Sequence, residues 1–99
     1  MGSSSESKRT VRVTVSGRVQ GVCYRMWTQS SAAELGLSGW VRNRRNGSVE
    51  ALVYGRASKV EEMLRAFRIG PPAALVSSVQ IEEVTNGQTP TEFVILPTR

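Results

Sequence analysis

Histidine is absent from this 99-residue chain, and cysteine occurs once, at position 23. A lone thiol closes no internal disulfide, so nothing points to an oxidising compartment, and the missing imidazoles argue against a transition-metal site. No stretch approaches the ~20 consecutive apolar residues of a membrane span. The opening segment also lacks the apolar core of a secretory signal, so a soluble, cytoplasmic protein with no membrane partner is expected. Residues 1–9 are Ser-rich with few apolar side chains, and they read as a disordered tail or an expression remnant outside the fold. Residues 10–99 read as one domain, and a monomer is expected.

What is present is positive charge and clear patterning. A net charge of +5 attracts anions of every kind, so on charge alone nucleic acid, anionic lipid and phosphorylated small molecules all stay admissible. From Thr10 to Ser16, Val11, Val13 and Val15 alternate with polar residues, the period of a strand with one buried face. Gly17-Arg18-Val19-Gln20-Gly21 interrupts this pattern. From about Val22, a stretch free of glycine and proline permits a helix that Gly36 stops. Leu37 to Asn43 reads as a second strand, followed by Arg44-Arg45-Asn46-Gly47, where Asn-Gly supplies the positive φ angles of a tight hairpin turn. Val49, Ala51 and Val53 then alternate with Glu50, Leu52 and Tyr54 in a third strand.

Ser58 with Glu61 makes a capping-box pattern, and Val60, Met63, Leu64 and Phe67 stand at i, i+3, i+4 and i+7 of an amphipathic helix. Gly70-Pro71-Pro72 ends it. Val76 to Val84 reads as a fourth strand whose broken alternation points to a bulge. Beyond Asn86-Gly87, Phe93 to Leu96 adds a short fifth strand, and Pro97 suits a sheet edge.

The order β-α-β-β-α-β, with a short extra C-terminal edge strand, is that of an α+β ferredoxin-like (split βαβ) two-layer sandwich. In it the first and second strands run parallel with the third between them. The loop after the first strand and Asn43 then face each other across two strand spacings, roughly 10 Å.

Gly17, Arg18, Val19, Gln20, Gly21 and Val22 lead from a strand into a helix N-terminus, where free N–H groups favour an anion; the plainer reading is a tight turn. Arg25, in the first helical turn, either folds back to grip two phosphate oxygens or stays solvated. Asn43 either caps its own backbone beside the hairpin or orients a water, since its amide both donates and accepts. Arg42, Arg44 and Arg45 read as a solvated hairpin face. Cys23 reads as a small packing residue, because no histidine is present to activate it. Trp27 and Trp40 read as core or half-buried packing.

Two segments, Val15 to Arg25 and Gly39-Trp40-Val41-Arg42-Asn43 through Gly47, Val49 and Gly55, closely resemble the two signatures of the acylphosphatase family. The likeness runs from about Val11 to Val84 and includes Gly70-Pro71-Pro72 and the Phe-x-Ile of Phe93 to Ile95. It departs at Tyr24, where the family more often has phenylalanine. The resemblance implies a ferredoxin-like fold and hydrolysis of the carboxyl-phosphate anhydride of acyl phosphates. It further implies that Arg25 and the Gly17–Val22 backbone hold the phosphate, that Asn43 places the attacking water, and that no metal or organic cofactor takes part. Inorganic phosphate is then product and inhibitor.

The chemistry agrees with this resemblance. The departing carboxylate has a conjugate acid of pKa about 4 and leaves without being protonated. A chain with no histidine can therefore work by orientation and electrostatics alone, with a phosphate oxygen of the substrate as the leading candidate for the water's proton. Two rivals remain at this point. An RNA-recognition domain shares the strand order, but the chain lacks that domain's aromatic signature, so no nucleic-acid partner is expected. A catalytically silent domain that binds a phosphorylated ligand would use the same loop.

Overall fold

The computed structural model describes residues 7–87 and 89–99. Its elements are β1 (Lys8–Arg18), α1 (Tyr24–Glu34), β2 (Ser38–Asn43), β3 (Val49–Arg56), α2 (Ala57–Ile69), β4 (Leu75–Glu83) and β5 (Phe93–Ile95). The alternation in β1 turns Val11, Val13 and Val15 inward, and β3 does the same with Val49, Ala51 and Val53. The apolar stripe of α2, Val60, Met63, Leu64 and Phe67, closes over them, and Tyr24, Thr28 and Ala32 are the buried residues of α1. Each large apolar side chain buried in this way contributes about 1.5–3 kcal/mol.

The sheet order is β4-β1-β3-β2-β5. β3 is antiparallel to both β1 and β2, so those two run parallel on either side of it, and β5 extends the sheet parallel to β2. This is the expected split βαβ sandwich with its extra edge strand. Between β1 and β4 the register jumps from Ser16↔Ser78 to Gly17↔Val76, which leaves Ser77 as the extra residue of the anticipated bulge. Gly17 sits there at φ 123°, and a Cβ on it would lie 2.2 Å from the Leu75 carbonyl oxygen. Gly39 is equally constrained, at φ 143° with Leu52 O 1.8 Å from its virtual Cβ.

Four local expectations change. β1 starts at Lys8, where Lys8 and Arg9 pair with Arg56 and Gly55, so these two residues of the 1–9 segment belong to the sheet; residues 1–6 lie outside the described residues. α2 starts at Ala57, with Arg56 at its N-cap and no side-chain cap, so Ser58 lies inside the first turn because β3 runs directly into the helix. In the β2–β3 hairpin only Gly47 takes a positive φ, 96°. Asn46 acts through its side chain instead, its Oδ1 accepting from Ser48 N (3.0 Å) and Ser48 Oγ (2.7 Å). The loop closes through Gly47 N–H to Arg44 O (3.1 Å) and Arg44 N–H to Ser48 O (2.8 Å).

The fourth change concerns Arg42 and Arg44, which are not a solvated face. Arg42 stands directly across the ladder from Glu50 and lies 4.6 Å over the Trp40 ring. It donates to Glu50 at 2.9 Å and Arg44 does so at 3.0 Å, while Glu50 is only 7% exposed. Of the three hairpin arginines Arg45 alone is exposed.

Burial works against the Glu50 carboxylate, but the hydrogen bonds and charges of Arg42 and Arg44 outweigh it and hold its pKa below the ordinary 4.5. A carboxyl depressed in the folded state stabilises the fold fully above its unfolded pKa and loses that contribution as pH falls through the folded value. Thermal melts are expected to show Tm falling as pH drops below about 4.5, with a shallower fall in Glu50→Gln. Superimposable acid limbs for the two proteins would remove Glu50 as their source.

Candidate active site

The β1–α1 connection has a distinctive backbone. Gly21 (φ 74°) and Cys23 (φ 64°, ψ 25°) both take the left-handed region, and Cys23 is the one non-glycine among the described residues to have a positive φ. That conformation costs a residue with a Cβ about 1–2 kcal/mol, and such strain collects at functional turns. Left-handed residues alternating with right-handed ones are the backbone pattern from which anion-binding nests are made. Among the described residues no acceptor meets the N–H groups from Val19 through Met26, and the first turn of α1 holds no acidic side chain. Free donors therefore gather at the positive end of α1.

At that end of α1 opens a cavity of about 400 Å³ lined by Val19, Gly21, Cys23, Tyr24, Arg25, Met26, Asn43 and Ile95. Arg25, the second residue of α1, and Asn43, the last of β2, thus come together from distant parts of the chain. The Arg25 guanidinium has no hydrogen-bond or ion-pair partner among the described residues, in contrast to Arg9, Arg12, Arg42 and Arg44. Asn43 Oδ1 is buried and likewise accepts no hydrogen bond. An unsatisfied buried acceptor costs about 1–3 kcal/mol. The local backbone cap considered for Asn43 is not formed; Asn46 plays that part. The Asn43 main chain is held by the C-terminal segment beyond β5, its carbonyl accepting from Arg99 N–H at 3.0 Å.

Other loop residues are placed differently from the sequence reading. Gly17 and Arg18 belong to the β1–β4 ladder, opposite Val76 and Leu75, and the cavity begins only at Val19. Val22 packs against the core. Gln20 turns its carboxamide to the hairpin, Nε2 donating to Arg44 O at 2.7 Å and Ser48 O at 2.9 Å. It bolts the loop to the backbone immediately after Asn43, a function that only a contact 24 residues away in sequence reveals. Cys23 is exposed at the cavity wall and is not a packing residue. Trp27 and Trp40 are half-buried, Trp27 edge-on to Tyr24 at 5.1 Å.

Tyr24 does more than fill space. Its buried hydroxyl donates to Phe67 O at 2.7 Å, tying the start of α1 to the last turn of α2. Burial pushes the phenol well above its ordinary pKa, so it stays a neutral donor. A second cavity, of about 330 Å³, is lined by Thr10, Arg12, Trp40 and Leu52 together with the chain after β4, and neither Arg25 nor Asn43 reaches it.

These features define a class: a split βαβ sandwich that brings an arginine, an amide and unpaired main-chain N–H groups to one rim, where β1 and β2 end. The acylphosphatase family model matches residues 11–95. An acylphosphatase from Mesorhizobium japonicum is 49% identical over 92 residues, covering 93% of this chain and 98% of that protein. Among solved structures, an acylphosphatase from Coxiella burnetii superposes with a TM-score of 0.85 at 36% identity, covering 90% of this chain and 93% of the other. The acylphosphatase from Bacillus subtilis gives 0.86 at 33% identity, covering 89% and 98%. The chain belongs to the acylphosphatase family and is an enzyme of that family, a hydrolase.

Proposed function

We propose that this acylphosphatase cleaves the carboxyl-phosphate anhydride of acyl phosphates by direct attack of a water that Asn43 orients on a phosphate held by Arg25 and the 19–26 backbone. The observation that carries this reading is the meeting, in one cavity, of an unpaired guanidinium and an unpaired buried amide oxygen beside free main-chain donors. Arg25 offers a planar fork to two phosphate oxygens, and the N–H groups take the others. Asn43 Oδ1 accepts a hydrogen bond from the water, which fixes a lone pair toward phosphorus. The water oxygen bonds to phosphorus as the bond from phosphorus to the acyl oxygen breaks. The acyl group leaves as a carboxylate, and the water's proton passes to a phosphate oxygen, giving dihydrogen phosphate. Donors fixed in place before the reaction stabilise the charge that develops on the phosphoryl oxygens.

The folded protein is expected to hydrolyse benzoyl phosphate and acetyl phosphate in EDTA, with inorganic phosphate as a competitive inhibitor. A flat progress curve would leave only the silent phosphate-binding domain. The RNA-binding alternative has little support from the helix-free face. There the central strands carry Arg12, Thr14, Glu50 and Leu52, and Tyr54 is the one aromatic of either strand.

A further inference from the structure

The cavity is larger than the chemistry requires. A phosphoryl group and one water, the latter with a share of liquid volume of ~30 Å³, leave much of the 400 Å³ unfilled. The remaining wall is apolar. Val19 forms part of it and is buried, while Met26 and Ile95 stand 65% and 36% exposed. Among the described residues large apolar side chains are otherwise mostly buried; Ile69, Leu75 and Ile81 are the other exposed ones, and none of them lines this cavity. Single exposed apolar residues need no explanation. Two that converge on one cavity from separate elements are different: Met26 follows Arg25 on α1, and Ile95 ends β5 opposite Val41 of β2.

Among the described residues Arg25 is the one charged residue in the lining, and no carboxylate of theirs lines it. An acyl group bearing an ammonium would find no counter-ion beside the phosphate, whereas a hydrocarbon would remove apolar surface of Met26 and Ile95 from water. The flexible thioether of Met26 adapts to acyl groups of different shape. We propose that Met26 and Ile95, with Val19, form an acyl subsite that selects acyl phosphates with an uncharged hydrocarbon acyl group. This rests on the hydrolysis proposed above and names the substrate class within it.

Acetyl, propionyl and butyryl phosphate test the proposal, because their leaving carboxylates are of nearly equal basicity and differ in hydrocarbon alone. Full burial of a methylene, ~0.8 kcal/mol, corresponds to about fourfold, so kcat/KM is expected to rise about two- to fourfold per added methylene. In Met26→Ser and Ile95→Ser the gradient is expected to shrink, and in the double variant to approach unity, while inhibition by inorganic phosphate shows the anion cradle still in place. A level series in the wild-type enzyme overturns the subsite, as does an undiminished gradient in the double variant. The wild-type series decides even if a variant fails to fold. Failure of the hydrolytic reading looks different, since no member of the series would then be turned over.

Discussion

Replacing Arg25 with alanine is expected to lower kcat/KM by about 30- to 1,000-fold, the equivalent of ~2–4 kcal/mol of transition-state stabilisation by analogy with other oxyanion donors. The phosphate inhibition constant should rise with it, because the same fork meets ground-state phosphate and the developing charge. The guanidinium has no partner among the described residues, so its removal breaks no ion pair. Urea denaturation should therefore show stability within about 0.5 kcal/mol of wild type, as for surface substitutions generally. Arg25→Lys tests geometry against charge: a point charge restores attraction but not the two-pronged grip, so recovery is expected to be partial. Wild-type rates in Arg25→Ala would take this residue out of the mechanism.

Asn43→Ala is expected to divide activity from stability. Water placement matters during reaction and little for bound phosphate, so kcat should fall by about 100-fold while phosphate inhibition is largely retained; a drop in kcat with an unchanged ground-state affinity is the mark of an interaction made in the transition state. The buried Oδ1 accepts no hydrogen bond, so deleting it also removes an unsatisfied acceptor. Stability is expected to hold or rise by up to about 1 kcal/mol, the trade common at functional sites. Weakened phosphate affinity with intact turnover would reassign Asn43 to the anion cradle. A large loss of stability would instead make it a structural residue.

Much of the fold was readable along the chain because the signals are local and repeated. The Val11-Val13-Val15 alternation, the Val60-Met63-Leu64-Phe67 stripe and the stop at Gly36 each follow from a period or a dihedral preference that neighbours in sequence determine. Even the bulge at Ser77 left its trace in the spacing of Val76 and Val79. Arg25 and Asn43 were singled out for another reason: they stand in segments that resemble two family signatures. Gln20 was read for its backbone, and its side-chain bolt to Arg44 O and Ser48 O could not be seen. Cys23 looked like a packing residue because no histidine is present to activate it, and its exposure and left-handed φ were not visible in the sequence.

The amino-acid order by itself determined the elements, their sequence along the chain and the α+β class, since hydrophobic period and turn chemistry act over a few residues. Tertiary structure alone decided which polar groups find partners. Glu50 absorbs Arg42 and Arg44, and Arg9 is taken by Glu61 and Glu83, while Arg25 and Asn43 Oδ1 are left free at one rim. Pairing depends on register between strands and on the packing of helices against them, which bring together groups far apart along the chain, and no local pattern encodes those distances.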